Sequence, residues 1–167
     1  MPGLFDRAKT RLMLATGLAI AGIGGAWFSE LVLGYVPCML CLWQRWPYYI
    51  ALPLAMAGLL VVRGESGRRY LPLLAVLLGL IFVVSFGLGA YHAGVEWKLW
   101  AGPTGCGGRL TTSAPSLDDF RKSLNTARVV LCDEAAMRIL GLSFAGWNAV
   151  VSAVIAGLCF SAMRKPG

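Results

Sequence analysis

Four of the five cysteines form two pairs whose spacing suits thiol–disulfide chemistry. Cys38 and Cys41 make a Cys-x-x-Cys motif, in which thiol pKa values are depressed, above all at the beginning of a helix. The thiolate is the species that attacks a disulfide during exchange. Cys106 and Cys132 are 26 positions apart, and glycines flank Cys106 and leave its backbone accessible. One short and one long pair predict a relay in which a disulfide passes between them.

Other interpretations of these cysteines stay open. A disulfide between Cys106 and Cys132 would also stabilise a loop without taking part in any chemistry. A Cys-x-x-Cys motif can be half of a zinc site, but a four-cysteine site needs a second close pair, which this chain lacks. Cys159 lies in an apolar stretch and is expected to be a small core residue with no redox role. No metal site is predicted.

Two ionisable residues are candidates for a binding site. Arg45 follows Cys41 by four positions, so on a helix it would share a face with that thiol and favour the thiolate or contact a quinone oxygen. It would equally suit a lipid headgroup. Because proline fits best at the first helical position, a helix beginning at Pro47 would leave Arg45 outside. His92 is the one histidine and its imidazole suits proton handling, although position alone does not favour a functional role.

Four apolar stretches must position these residues. The length of each is close to the ~20 residues that a helix needs to cross a bilayer. They cover about 12–28, 46–62, 71–90 and 142–163. Hydrophobic residues make up 57% of the chain and charged residues 14%, whereas soluble domains have about 45–50% and about 25%. The sequence therefore predicts an all-α membrane protein, a single domain over 1–167 built as a four-helix transmembrane bundle.

The basic residues beside these stretches predict the orientation, because they collect on the cytoplasmic side. Eight lie on one face: Arg7, Lys9, Arg11, Arg63, Arg68, Arg69, Arg164 and Lys165. The other face has seven, spread over two loops with six acidic residues. Both termini are thus expected inside, and both cysteine-bearing loops, about 29–45 and 91–141, outside. The net charge of +7 fits an anionic lipid surface rather than nucleic acid, since long apolar runs separate the charges.

The long outer loop contains a candidate helix. Ser116 would cap it, with Asp119 at the third position of a weak capping box. Apolar residues follow at roughly helical spacing: Leu117, Phe120, Leu124 and Leu131. This pattern predicts a short amphipathic helix, either lying on the membrane or packed on the loop as an ordinary surface helix.

Together these features resemble the disulfide bond formation protein B (DsbB) family of bacterial inner-membrane oxidases. The resemblance rests on the four spans, Pro37 to Cys41 followed by Arg45, Tyr91-His92 at the end of the third span, the Cys106/Cys132 pair, and the segments 132–134, 141–143 and 147–148. It covers essentially the whole chain except the termini. The related vitamin K epoxide reductase family places its Cys-x-x-Cys motif late in the chain, unlike this sequence.

The resemblance implies a role for each cysteine. Cys106 and Cys132 match the pair that oxidises a periplasmic DsbA-like protein with a thioredoxin fold, and Cys106 takes part in the mixed disulfide. Cys38 and Cys41 match the pair that a membrane quinone, ubiquinone or menaquinone, reoxidises, with Cys41 nearest the ring.

Arg45 and His92 match residues of the quinone site in the same family. The expected activity is that of a thiol:quinone oxidoreductase in the bacterial inner membrane, with its active face in the periplasm. The competing hypothesis is a non-enzymatic four-span scaffold, in which both disulfides are structural.

Overall fold

The computed structural model describes residues 2–103, Ser116 and residues 132–163. Within them lie four α-helices: α1 (Pro2–Leu31), α2 (Met39–Val61), α3 (Leu71–Glu96) and α4 (Phe144–Ser161). A short 3-10 helix (Glu65–Tyr70) joins α2 to α3, and strands β1 (Arg138–Ile139) and β2 (Leu142–Ser143) pair antiparallel just before α4. The described part of the chain is mainly helical, as the composition predicts.

Three stretches of the described helices are long and apolar enough to cross a membrane: 6–31, 66–96 and 144–161. Helix α2 is not among them, because polar and aromatic residues, including Gln44 and Arg45, fill its first half. The described helices thus give the chain the character of a multi-pass membrane protein. A four-helix bundle is consistent with them, and the crossing by α2 and the cytoplasmic termini stay predictions.

The bundle is held by close contacts between small residues, as is common between helices in a membrane. A Cβ atom on Gly89 of α3 would lie 2.8 Å from the backbone nitrogen of Ala149 in α4, so a larger residue would push these helices apart. All four helices contribute buried residues to one core, among them Leu12, Ala19, Ala51, Ala55, Leu78, Phe82, Ile155 and Cys159. This packing brings the N-terminal ends of α2 and α4 close to the C-terminal end of α3.

Helix α2 begins at Met39, well before Pro47, so Arg45 lies inside the helix rather than ahead of it. The cap explains the early start: Cys38 has an extended backbone, and its Sγ accepts a hydrogen bond from the Cys41 backbone N–H at 3.3 Å. A side-chain acceptor at this position satisfies one of the free N–H groups of the first turn. Both Cys-x-x-Cys sulfurs are therefore held at the N-terminal end of α2.

Candidate functional site

The Cys-x-x-Cys motif holds two free thiols in contact. The sulfurs of Cys38 and Cys41 are 2.9 Å apart, with Cys38 buried and Cys41 half-buried. The hydrogen bond from the Cys41 thiol lowers the pKa of Cys38 to about 5, helped by the nearby His92 and opposed by burial. Cys38 is therefore set up to be the thiolate of the reduced pair, as expected at a helix N-terminus.

His92 lies near the C-terminal end of α3, buried against this pair. Its Nε2 is 3.6 Å from the sulfur of Cys38, and its Nδ1 is 2.6 Å from Nε2 of Gln44. One helical turn further, Oε1 of Glu96 is 3.8 Å from the same Nε2. The other carboxyl oxygen of Glu96 is also buried, and it has no hydrogen-bond partner among the residues that the structure describes. An imidazole and a buried carboxyl group thus adjoin the thiol most ready to ionise.

Cys132 is brought to the same place from the end of the long loop. It is disulfide-bonded and packs with Cys38, Leu40 and Val95 in one buried cluster, which Cys41 adjoins. Cys106 and the predicted amphipathic helix lie outside the described residues, so the pairing of Cys106 with Cys132 stays a prediction. The fold nevertheless places one cysteine from each predicted pair in the same buried cluster, as a relay requires.

A cavity of about 460 Å³ opens beside Cys41, between α1, α2 and α4. Small and apolar side chains form most of its wall, among them Gly22, Gly25, Ala26, Pro37, Phe144, Ala145 and Val151. The polar part of the wall consists mainly of Gln44, Arg45, Tyr48 and Asn148. This size and composition are typical of small-molecule sites. Cys38 and His92 are not in the lining, so within the motif only Cys41 faces the cavity.

Arg45 is fixed at the cavity wall by two contacts with α1. Its Nη1 atom is 2.5 Å from a carboxylate oxygen of Glu30, and its guanidinium lies 5.5 Å from the centre of the Trp27 ring. The side chain is only 9% exposed. This burial favours a role in the cavity over binding to lipid headgroups.

A row of polar side chains continues from His92 along the cavity wall. Asn148 of α4 donates from Nδ2 to Oε1 of Gln44 at 2.8 Å and accepts from the Tyr48 hydroxyl at 2.6 Å. Sequence reasoning did not assign Gln44, Tyr48, Asn148, Glu30 or Glu96 to the site. A polar residue within an apolar span is a functional signal in itself, and it would have singled out Asn148. Gln44 lies in the predicted loop 29–45, where a polar residue gives no such signal.

The ligand atoms of Cys38, Cys41 and His92 lie within 4.8 Å of one another, close enough to raise the question of a metal ion. Two thiolates on one tetrahedral zinc, with bonds of about 2.3 Å, would stand roughly 3.8 Å apart. The two sulfurs are 2.9 Å apart, and an amide N–H group of Gln44 faces the far ring nitrogen of His92. This arrangement suits thiol–disulfide exchange better than metal binding.

Comparisons with known proteins also indicate disulfide chemistry. The family model of disulfide bond formation protein DsbB matches residues 8–162. The chain is 33% identical to disulfide bond formation protein B 1 of Pseudomonas entomophila, over 87% of this chain and 83% of that one. It is 32% identical to the protein of that name from Pseudomonas putida, over 92% and 88%. For disulfide bond formation protein B of Xanthomonas campestris the identity is 31%, over 80% and 77%. No solved structure matches the chain.

Proposed function

The chain belongs to the disulfide bond formation protein DsbB family, and from that premise we propose that it oxidises a thioredoxin-fold protein and passes the electrons to a membrane quinone. One observation carries this proposal. Cys38 belongs to the same buried cluster as Cys132, whereas Cys41 adjoins that cluster and also lines the apolar cavity. The motif therefore lies between Cys132 and the cavity, as the middle of an electron relay requires.

The relay begins at the loop pair. A thiolate of the reduced partner attacks the disulfide between Cys106 and Cys132, and the second partner thiol resolves the mixed disulfide. The partner leaves with a disulfide, and the loop pair keeps two electrons as two thiols. Exchange of this kind needs no group other than the thiolate itself.

The second exchange passes the electrons to the motif. The Cys132 thiolate attacks Cys38, which lies in the same buried cluster, and the Cys38–Cys41 bond breaks. Cys41 leaves as a thiolate beside the cavity. Cys106 then attacks Cys132, which restores the loop disulfide and releases Cys38, so that both electrons and both protons of the loop thiols now belong to the motif.

The cavity fits a quinone headgroup by its chemistry and size. A quinone accepts the two electrons and two protons of a dithiol, and the disulfide between Cys38 and Cys41 forms again. The apolar wall holds a flat ring, and Cys41 lies within the lining. Arg45 supplies a fixed positive charge at the wall, which favours the negative charge that develops on a ring oxygen or on the thiolate.

The location follows from the same proposal. Disulfides form and persist in oxidising compartments, so the helix ends that carry the Cys-x-x-Cys motif lie on the periplasmic side of the bacterial inner membrane. The partner is then a periplasmic DsbA-like protein. The choice between ubiquinone and menaquinone depends on the quinone pool of the cell.

The test is quinone reduction by the purified protein in detergent. A reduced thioredoxin-fold oxidase is supplied, and quinone absorbance and partner thiols are followed together. We expect one quinone consumed for each disulfide formed, with either common quinone. Turnover that needs no quinone would contradict the proposal.

The non-enzymatic scaffold is the second candidate, and a small dithiol separates the two. If a small dithiol in place of the partner also gives no quinone reduction, and both disulfides resist mild reductant, the scaffold is correct. Quinone reduction driven by the dithiol alone would support the enzyme and leave only the identity of its protein partner open.

A further inference from the structure

The hydrogen bonds along the row of polar side chains between the cavity and Cys38 all run in one donor-to-acceptor direction. Tyr48, Asn148, Gln44 and His92 are contributed by three helices, and successive polar atoms lie 2.6, 2.8 and 2.6 Å apart. Gln44, His92 and Tyr48 are buried, and their polar atoms make hydrogen bonds to other protein groups.

The direction follows from what each group can donate. An amide group has one accepting end and one donating end. The Tyr48 hydroxyl donates to Oδ1 of Asn148, which leaves the Asn148 amino group to donate to Oε1 of Gln44. The amino group of Gln44 then faces His92 Nδ1, and it also reaches the Leu40 carbonyl at 3.4 Å. Both ends of each amide are thus engaged.

His92 stands at the end of this row, and its protonation pattern is determined by it. A neutral imidazole has one donating and one accepting nitrogen, and the hydrogen bond to one nitrogen selects the state of the other. Because Gln44 donates to Nδ1, the ring proton is on Nε2. That nitrogen faces the sulfur of Cys38 at 3.6 Å, with Glu96 at 3.8 Å as a second acceptor.

We propose that Gln44, oriented by Asn148, is a positioning residue that fixes His92 in the tautomer that donates from Nε2 toward the sulfur of Cys38. A donor at this place stabilises the Cys38 thiolate whenever the sulfur is released from a disulfide. The opposite tautomer would turn a lone pair toward the sulfur and oppose its negative charge. The importance of this for turnover rests on the proposed function, whereas the tautomer itself does not.

The single histidine makes a direct measurement possible. Nitrogen NMR of the ¹⁵N-histidine-labelled protein in detergent distinguishes a protonated Nε2 from a protonated Nδ1. We expect the Nε2–H tautomer in the wild-type protein and a mixture of the two in Gln44→Leu and in Asn148→Leu. Gln44→Glu is the sharpest variant, because a carboxylate only accepts and should move the proton to Nδ1.

The second readout is the reactivity of Cys38, measured by alkylation in a Cys41→Ser background in which the serine hydroxyl keeps a donor beside the sulfur. Adding Gln44→Leu should lower the alkylation rate at acidic pH about ten-fold, equivalent to one unit in the pKa of the thiol. After denaturation the two proteins, with and without Gln44→Leu, should be alkylated at equal rates, which controls for the reagent and the labelling.

A wild-type protein with its proton on Nδ1, or histidine signals unchanged by Gln44→Leu and Gln44→Glu, would overturn the proposal. If the expected tautomers are found but quinone-coupled turnover is absent, the proposed function fails while the positioning of His92 stands.

Discussion

His92 Nε2 lies 3.6 Å from the sulfur of Cys38, although 54 positions separate the two residues in the chain. The contact joins the C-terminal end of α3 to the N-cap of α2. It gives the buried thiol a nitrogen neighbour that sequence spacing does not indicate. Helix packing therefore adjusts the reactivity of the motif, and the motif in turn faces a cavity on its other side.

Replacing either cysteine of the motif should abolish quinone-coupled oxidation of the partner, because the proposed relay gives each sulfur a different reactant. Cys38→Ser loses exchange with the loop pair, and Cys41→Ser loses the sulfur at the cavity. Steady-state quinone reduction measures both. Cys159→Ala is the matched control, since Cys159 is buried in the bundle core away from the cavity wall. Wild-type rates in either motif variant would contradict the relay.

Filling the cavity should raise the KM for quinone. Gly25 lines the cavity, and a Cβ atom there meets no other atom within 4 Å, so Gly25→Leu places its side chain in free space. Gly24 is equally unobstructed but is not part of the lining, which makes Gly24→Leu a control of identical chemistry. We expect a loss in kcat/KM of about ten-fold or more for Gly25→Leu only, since a lost apolar contact is worth roughly 1–3 kcal/mol. Equal losses in both variants would place the quinone elsewhere.

Arg45→Ala should mainly raise the KM for quinone, because it removes the cation at the cavity wall. Arg45→Lys retains the charge but not the planar guanidinium with its paired N–H donors, so its KM for quinone should lie between those of the wild type and Arg45→Ala. Kinetics at varied quinone and constant partner concentration separate KM from kcat. An unchanged KM in Arg45→Ala would assign this residue to lipid headgroups instead.

The thiol of Cys38 should react at acidic pH. Its pKa is lowered to about 5, so in the reduced protein the thiolate persists as the pH falls from neutrality and is lost only below about pH 5. Alkylation of reduced protein, with mass spectrometry to locate the label, should show a rate that is nearly flat above that pH and falls below it. An ordinary thiol would instead lose reactivity about ten-fold per pH unit throughout this range. That steady decline at Cys38 would show that the motif does not stabilise its thiolate.

The contact between α3 and α4 should be sensitive to a single methyl group. A Cβ on Gly89 would stand 2.8 Å from the Ala149 nitrogen, so Gly89→Ala should destabilise the protein by about 1–3 kcal/mol. Gly87, on the same helix, has open space around its Cα, and Gly87→Ala should not lower stability. Thermal unfolding in detergent measures both. A Gly89→Ala protein as stable as the wild type would mean that the two helices are not closely packed there.

Much of the architecture could be predicted from the sequence because it depends on local composition. Long apolar runs indicate helices, and the spacing of Cys38 and Cys41 brings their sulfurs together on any first helical turn. The residue at which α2 begins was harder to predict. Pro47 is a common helix starter, but the extended backbone and sulfur acceptor of Cys38 begin the helix at Met39. A thiol is not among the usual cap residues, so the pattern carries no such signal.

The sequence by itself thus determined the family, the helical character and the pair of motif cysteines, because these depend on residue order and on hydropathy summed along short segments. The tertiary structure decided which groups come together: Cys132 in the cluster of Cys38, Glu30 with Arg45, and the row from Tyr48 to His92. These contacts arise where separate helices cross. The crossings depend on how small residues such as Gly89 let the helices approach, and no periodicity within one segment encodes the partner on another.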